Sequence, residues 1–181
     1  MHDFGSMQST MNVRIANHHV ASWLIGACGV WLVGLGLYFI VVRPPLLPED
    51  ARSMGATIAH IHAAVPGLDG WLKKVFIVMG GFMAGAGVLT VFLATVAMPS
   101  RLNGTSWAIA LAGAPTLALM SATNFALDSD FKWLLLVPAA IWLAGLVLHV
   151  MGRRNQPSAR EMRVAGRLQA MEAGRSTKEP S

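Results

Sequence analysis

The sequence predicts an all-α integral membrane bundle of four transmembrane helices, with short amphipathic helices in the first outer loop and in the C-terminal tail. Three observations carry that prediction. Of 181 residues, 54% are hydrophobic and 13% charged, against about 45–50% and roughly 25% in soluble domains. Four apolar runs reach the roughly 20 residues a helix needs to cross a hydrocarbon core of about 30 Å. Away from their ends, these runs contain no Asp, Glu, Lys or Arg. A spanning helix satisfies its own backbone hydrogen bonds, whereas a transmembrane β-barrel would require alternation that the continuous runs lack. A mean hydropathy of +0.52 excludes an ordinary soluble enzyme and a disordered chain.

The chain divides into a polar leader (1–20), a four-helix domain (21–151) and a basic tail (152–181). The first span covers about 21–42 and is closed by Arg43-Pro44-Pro45. Its apolar stretch exceeds the h-region of a signal peptide, so it reads as an anchor. The second covers about 75–98 and stops at Pro99. The third covers about 105–125, with Pro115 near its middle, and the fourth about 131–151, with Pro138 inside it. Between the first two, the outer loop 43–74 opens a helix at Pro48-Glu49-Asp50, where acidic residues suit the first turn. Met54, Ile58, Ile61 and Val65 follow at helical spacing, and Asp69 sits where an N-cap for the second span belongs. In the tail, Ser158 and Glu161 form a capping-box pattern ahead of Val164, Leu168 and Met171.

Charge sets the expected orientation. Nine lysines and arginines fall on the side of the two termini and five on the other, so both termini are expected in the cytoplasm of a bacterial inner membrane. The net charge of +5 is read as contact with anionic headgroups rather than nucleic acid. Trp23, Trp71, Trp107 and Trp133 lie near span ends, where an aromatic belt belongs, while Trp31 and Trp142 are mid-span.

Few residues carry chemistry. Gly81 and Gly85 form a GxxxG pair, which lets helix backbones approach closely. The expected contact is within the bundle, against Gly26, Gly29, Gly34 and Gly36 of the first span, or else between protomers. The stretch from Asn124 to Trp133 offers Asn124, Asp128, Asp130 and Lys132 as a shallow ligand site, or Ser129 or Asp130 as a plain cap for the fourth helix with Lys132 reaching the interface. Glu49, Asp50 and Arg52 from the first outer loop can meet Asp128, Asp130 and Lys132 over the bundle, and a salt-bridged lid is the favoured form of that cluster. His60 and His62, two apart on a helix, point to separate faces and do not chelate one metal. His18, His19 and His149 lie at span edges, a poor position for haem. Cys28 reads as a small core hydrophobe. No cofactor is expected, and no nucleotide-binding or hydrolase motif is present.

The run Tyr38-Phe39-Ile40-Val41-Val42-Arg43-Pro44-Pro45-Leu46-Leu47-Pro48-Glu49-Asp50-Ala51-Arg52-Ser53-Met54-Gly55 resembles uncharacterised small four-helix membrane proteins of bacteria, as does the stretch from Asn124 to Trp133. The layout, four spans with a longer first outer loop, looks like the broad DoxX-like group. The resemblance covers roughly 20–151, implies the fold, and brings no activity or site residue with it. The leading functional expectation is a non-enzymatic structural or accessory subunit, or a binder of a lipid-like ligand, with the bilayer and a homo-oligomer or membrane partner as its contacts. A small transporter or channel for an uncharged solute is the second reading. A redox component holding haem or quinone is the third. Proton-coupled transport is disfavoured, because it uses ionisable groups inside the membrane.

Overall fold

The structure is a computed structural model that describes residues 3–100, 102–154 and 167, with side chains described for 19–100, 102–153 and 167. The order is α1 (Asp3–Val41), α2 (Pro48–Ser53), α3 (Ile58–Ala64), α4 (Leu68–Phe92), α5 (Thr105–Gly113), α6 (Leu119–Ala126) and α7 (Lys132–Arg154). A π-helical turn, Leu93–Ala97, extends α4, and a second, Ala114–Ala118, joins α5 to α6. Four segments are long and apolar enough to cross a membrane: His19–Val41, Leu68–Ala97, Thr105–Ala126 and Lys132–Arg153. Each apolar run of the sequence lies on one of them. The expected tail helix around Ser158 lies outside the described residues.

Two boundaries differ from expectation. The second membrane-length helix begins at Leu68, not near 75, and Gly67 occupies its N-cap. Asp69 therefore lies inside the first turn, where it meets His62 Nε2 at 3.0 Å. The outer loop is also not one amphipathic helix. Gly55, at φ +66°, ends α2 in a left-handed conformation that favours glycine, and Thr57 caps α3 by accepting from the His60 N–H. The break scatters the expected stripe: Ile61 is buried, but Met54 and Val65 are half-exposed.

The first helix is the hub, packing chiefly on α4 and then on α7. Glycines permit its contact with α4. A Cβ on Gly36 would stand 2.6 Å from the Gly80 carbonyl and the Ala84 N, and one on Gly87 would stand 2.6 Å from the Gly29 carbonyl and the Val33 N. The backbones touch, which is how membrane helices gain dispersion contacts where lipid offers no hydrophobic push. The residues that do this are Gly29, Gly36, Gly80 and Gly87. Gly81 and Gly85 are exposed and have nothing near them, as has Gly34, and Gly26 makes an ordinary 3.6 Å contact with Ala94 Cβ. The expected intramolecular role of Gly81 and Gly85 is thus corrected: the partner-facing register of α4 is one residue away.

The other wall is keyed by Trp142. Its indole lies on Gly113, where a Cβ would be 1.9 Å from Nε1, and Nε1–H donates to the Ile109 carbonyl at 3.1 Å. Trp142, Ile25, Cys28, Leu32, Met98, Ile109 and Leu117 belong to one buried cluster. The Cys28 thiol donates to the Pro138 carbonyl at 3.4 Å; the internal bond that proline's missing N–H omits is the one to the Leu134 carbonyl. Threonine and asparagine side chains along the spans turn back on their own helices. Thr90, Thr95, Thr116 and Thr123 each donate to the carbonyl four residues earlier, as does Asn124 Nδ2 to Met120. Such back-bonding satisfies a donor without any partner helix.

Candidate functional site

The bundle is not closed on every side. The helix α4 touches α5 and its own π turn reaches α5, but no substantial contact joins α4 to α6 among the described residues, and α6 packs on α7 instead. Between α4 and α6 lies a cleft of about 1830 Å³, backed by α1. Val75, Met79, Phe82 and Met83 form one wall and Leu119, Met120 and Thr123 the other, with Trp31 and Leu35 behind them. Small-molecule sites commonly occupy about 300–1,000 Å³, so this one is large. Along α1 the lining runs from His19 to Phe39, roughly 30 Å at 1.5 Å per residue, the thickness of a hydrocarbon core.

One end of the cleft has a roof. The α1 helix stops when Val42 and Arg43 both donate to the Tyr38 carbonyl at 2.9 Å, and Pro44-Pro45 cannot continue it. Arg43 then folds back, with its guanidinium 3.7 Å from the Phe76 ring centre and 5.2 Å from that of Phe39. Only 11% of its side chain is exposed, and Nη2 pairs with Asp50 at 3.3 Å. Asp50, in the first turn of α2, also accepts from the Leu47 N–H at 2.8 Å, the return half of a cap. A cation held over aromatic rings while paired with a carboxylate gains on both counts.

From this base α2 reaches across to the connection between α6 and α7. Glu49 accepts from the Ser129 hydroxyl and the Asp130 N–H, both at 3.0 Å. Arg52 donates to Asp130 at 3.0 Å. The structure therefore brings Arg52 and Asp130 together, with Glu49 beside them, in the lid that the sequence suggests. It does not bring Asp50 or Asp128 to that junction. Asp50 belongs to Arg43, and Asp128 pairs with Lys132 one turn later. That lysine, by its hydrogen bond first and its charge second, holds the Asp128 carboxyl below the usual carboxylate range. Asp128 itself sits at φ 50°, a conformation aspartate tolerates at a helix C-terminus. Ser129 accepts from the Phe131 N–H in the turn that leads into α7. Asn124 lines the cleft below, as do Tyr38 and Ser53.

Sequence reasoning missed Arg43, Phe39 and Phe76. The arginine reads as a span-end charge, and only a chain reversal at Pro44-Pro45 turns it inward. Among the described residues no group of three or more His, Cys, Asp or Glu could hold a metal ion. No family model matches this chain, and neither the curated proteins nor the solved structures contain a match.

Proposed function

We propose that the protein is a multi-pass membrane protein that holds a lipid-like amphiphile in the cleft between α4 and α6. The observation that carries this reading is the cleft itself: about 1830 Å³, walled by apolar side chains, open to the side and roofed at one end. An amphiphile entering sideways from the bilayer would place its chains against Met79, Phe82, Met83 and Leu119 and its head beneath the lid. A channel for an uncharged solute has less support, because the threonine hydroxyls along the cleft are committed to their own backbones. The excess of lysine and arginine on the termini side favours cytoplasmic termini in a bacterial inner membrane.

Native mass spectrometry of the full chain, extracted in mild detergent, tests the proposal. Gly34 lines the cleft, and a Cβ at that position would have no neighbour within 4 Å, so Gly34→Phe starts from open space and puts bulk into the cleft. The wild type should retain a reproducible amphiphile and Gly34→Phe should lose it at unchanged melting temperature. Equal retention by both, or none by the wild type, would sink the proposal.

A further inference from the structure

The roof constrains what can occupy the cleft. Leu47, Glu49, Asp50, Ser53 and Ser129 line its lid end, and the Glu49 and Arg52 contacts fasten that roof across to the α6–α7 connection. A transmembrane helix of another protein lying in the cleft would have to leave the bilayer through this roof. An amphiphile has no such need, since its polar head can end beneath it.

The charged lining is already engaged. Among the described residues, Arg43, Glu49 and Asp50 are its only Asp, Glu, Lys or Arg residues, so one guanidinium against two carboxylates leaves one net negative charge. Arg43 meets Asp50, the Pro44 carbonyl at 3.2 Å and the Phe76 ring. Glu49 meets Ser129 and Asp130. Outside the cleft, Arg52 and Lys132 pair with Asp130 and Asp128. No lysine or arginine of this lining is left to meet a phosphate or a carboxylate, and burying an unmatched charge is costly. At the lid end two neutral groups stand out. The Tyr38 hydroxyl makes no hydrogen bond among the described residues, although its ring stands edge-on to Phe39 at 5.8 Å. Asn124 uses its NH2 on Met120 at 2.9 Å, which leaves its carbonyl oxygen to accept. A phenolic donor and an amide acceptor suit a head that is itself a neutral donor and acceptor.

Building on the lipid-binding reading, we infer that the cleft selects an amphiphile with an uncharged, hydroxyl- or carbonyl-bearing head over one with an anionic head, with Tyr38 donating to that head and Asn124 accepting from it. The probe is the full chain in phosphatidylcholine nanodiscs doped with equal fractions of diacylglycerol, phosphatidylethanolamine and phosphatidylglycerol of matched chains. Native mass spectrometry then reads the lipids carried by the wild type, Tyr38→Phe and Gly34→Phe. The expected result is diacylglycerol enriched about fivefold over its bulk fraction, the worth of one hydrogen bond, falling toward bulk in Tyr38→Phe and lost in Gly34→Phe. Tyr38→Phe removes no protein contact of that hydroxyl, so its melting temperature should match the wild type. Enrichment of phosphatidylglycerol or phosphatidylethanolamine that Gly34→Phe abolishes overturns the head-group selection and leaves lipid binding standing. Diacylglycerol enrichment indifferent to Tyr38→Phe overturns the role of Tyr38. Absence of any lipid sensitive to Gly34→Phe, or a stoichiometric protein held in its place, overturns both readings.

Discussion

The two sides of α4 show opposite solutions to the same problem. Toward α1, Gly80 and Gly87 bring backbone against backbone at distances no side chain could enter. Toward α6, Met79, Phe82 and Met83 face a gap of about 1830 Å³. Bulky residues do not by themselves hold helices apart, since Trp142 closes the α5–α7 contact by settling on Gly113. The difference is complementarity. Where a large side chain meets glycine the helices interlock, and where large side chains on α4 face large side chains on α6 no such fit exists. The lid then bridges, by Glu49 and Arg52, a distance that the helices themselves do not close.

Substitutions can break this contrast, the strongest first. Gly36→Leu forces α1 off α4, because even its Cβ meets backbone at 2.6 Å; a loss of about 3 kcal/mol or more is expected, read as failed expression or a collapsed melting temperature in detergent. Gly85→Leu is its control. With nothing near Gly85, monomer stability should hold, and any change confined to elution volume would assign the outward Gly81–Gly85 face to a second copy. Next, Gly113→Ala must displace Trp142 from its 3.1 Å bond to Ile109. About 1–3 kcal/mol is expected, with a red-shifted tryptophan emission as the indole moves.

Weaker effects belong to the lid. Glu49→Ala removes two hydrogen bonds across the cleft's roof, and about 1 kcal/mol of stability should go with them. Arg52→Ala breaks a pair whose side chains are 61% and 66% exposed, so its melting temperature should shift by no more than about 1 kcal/mol equivalent. The smallest effect concerns Asp128, whose carboxyl Lys132 holds low. A carboxyl lowered in the folded state adds stability above its unfolded value of about 3.9. That contribution disappears as pH falls through the lowered value. Lys132→Met should return the carboxyl to its ordinary range in an NMR titration in micelles; an unmoved titration would count against the pair.

Much of the fold was legible because the spans are set by one-dimensional properties. Length, hydropathy and the stops at Pro44-Pro45 and Pro99 need no knowledge of neighbours. The break at Gly55 was hidden because Ile58 and Ile61 continue a helical spacing that glycine interrupts only through its backbone angle. Gly81 and Gly85 match the familiar spacing, but which glycines of α4 touch α1 depends on helix rotation, which sequence does not specify. The lid was half-legible. Opposite charges on one side of the membrane pointed to Arg52 and Asp130, yet Asp50 was claimed first by its nearer neighbour Arg43. The cleft's hint in the sequence is the mid-span Pro115, which falls in the π turn Ala114–Ala118 and lines the cleft; the failure of two distant helices to fit has no such signal.

The most direct measurement is X-ray diffraction from crystals of the full chain grown in a lipidic mesophase. An occupied cleft predicts elongated density between α4 and α6, ending in a head beneath Arg43 and Tyr38. A bundle in which α4 has closed onto α6, with Phe82 and Met83 packed against Leu119 and Thr123 and no room between them, would contradict it.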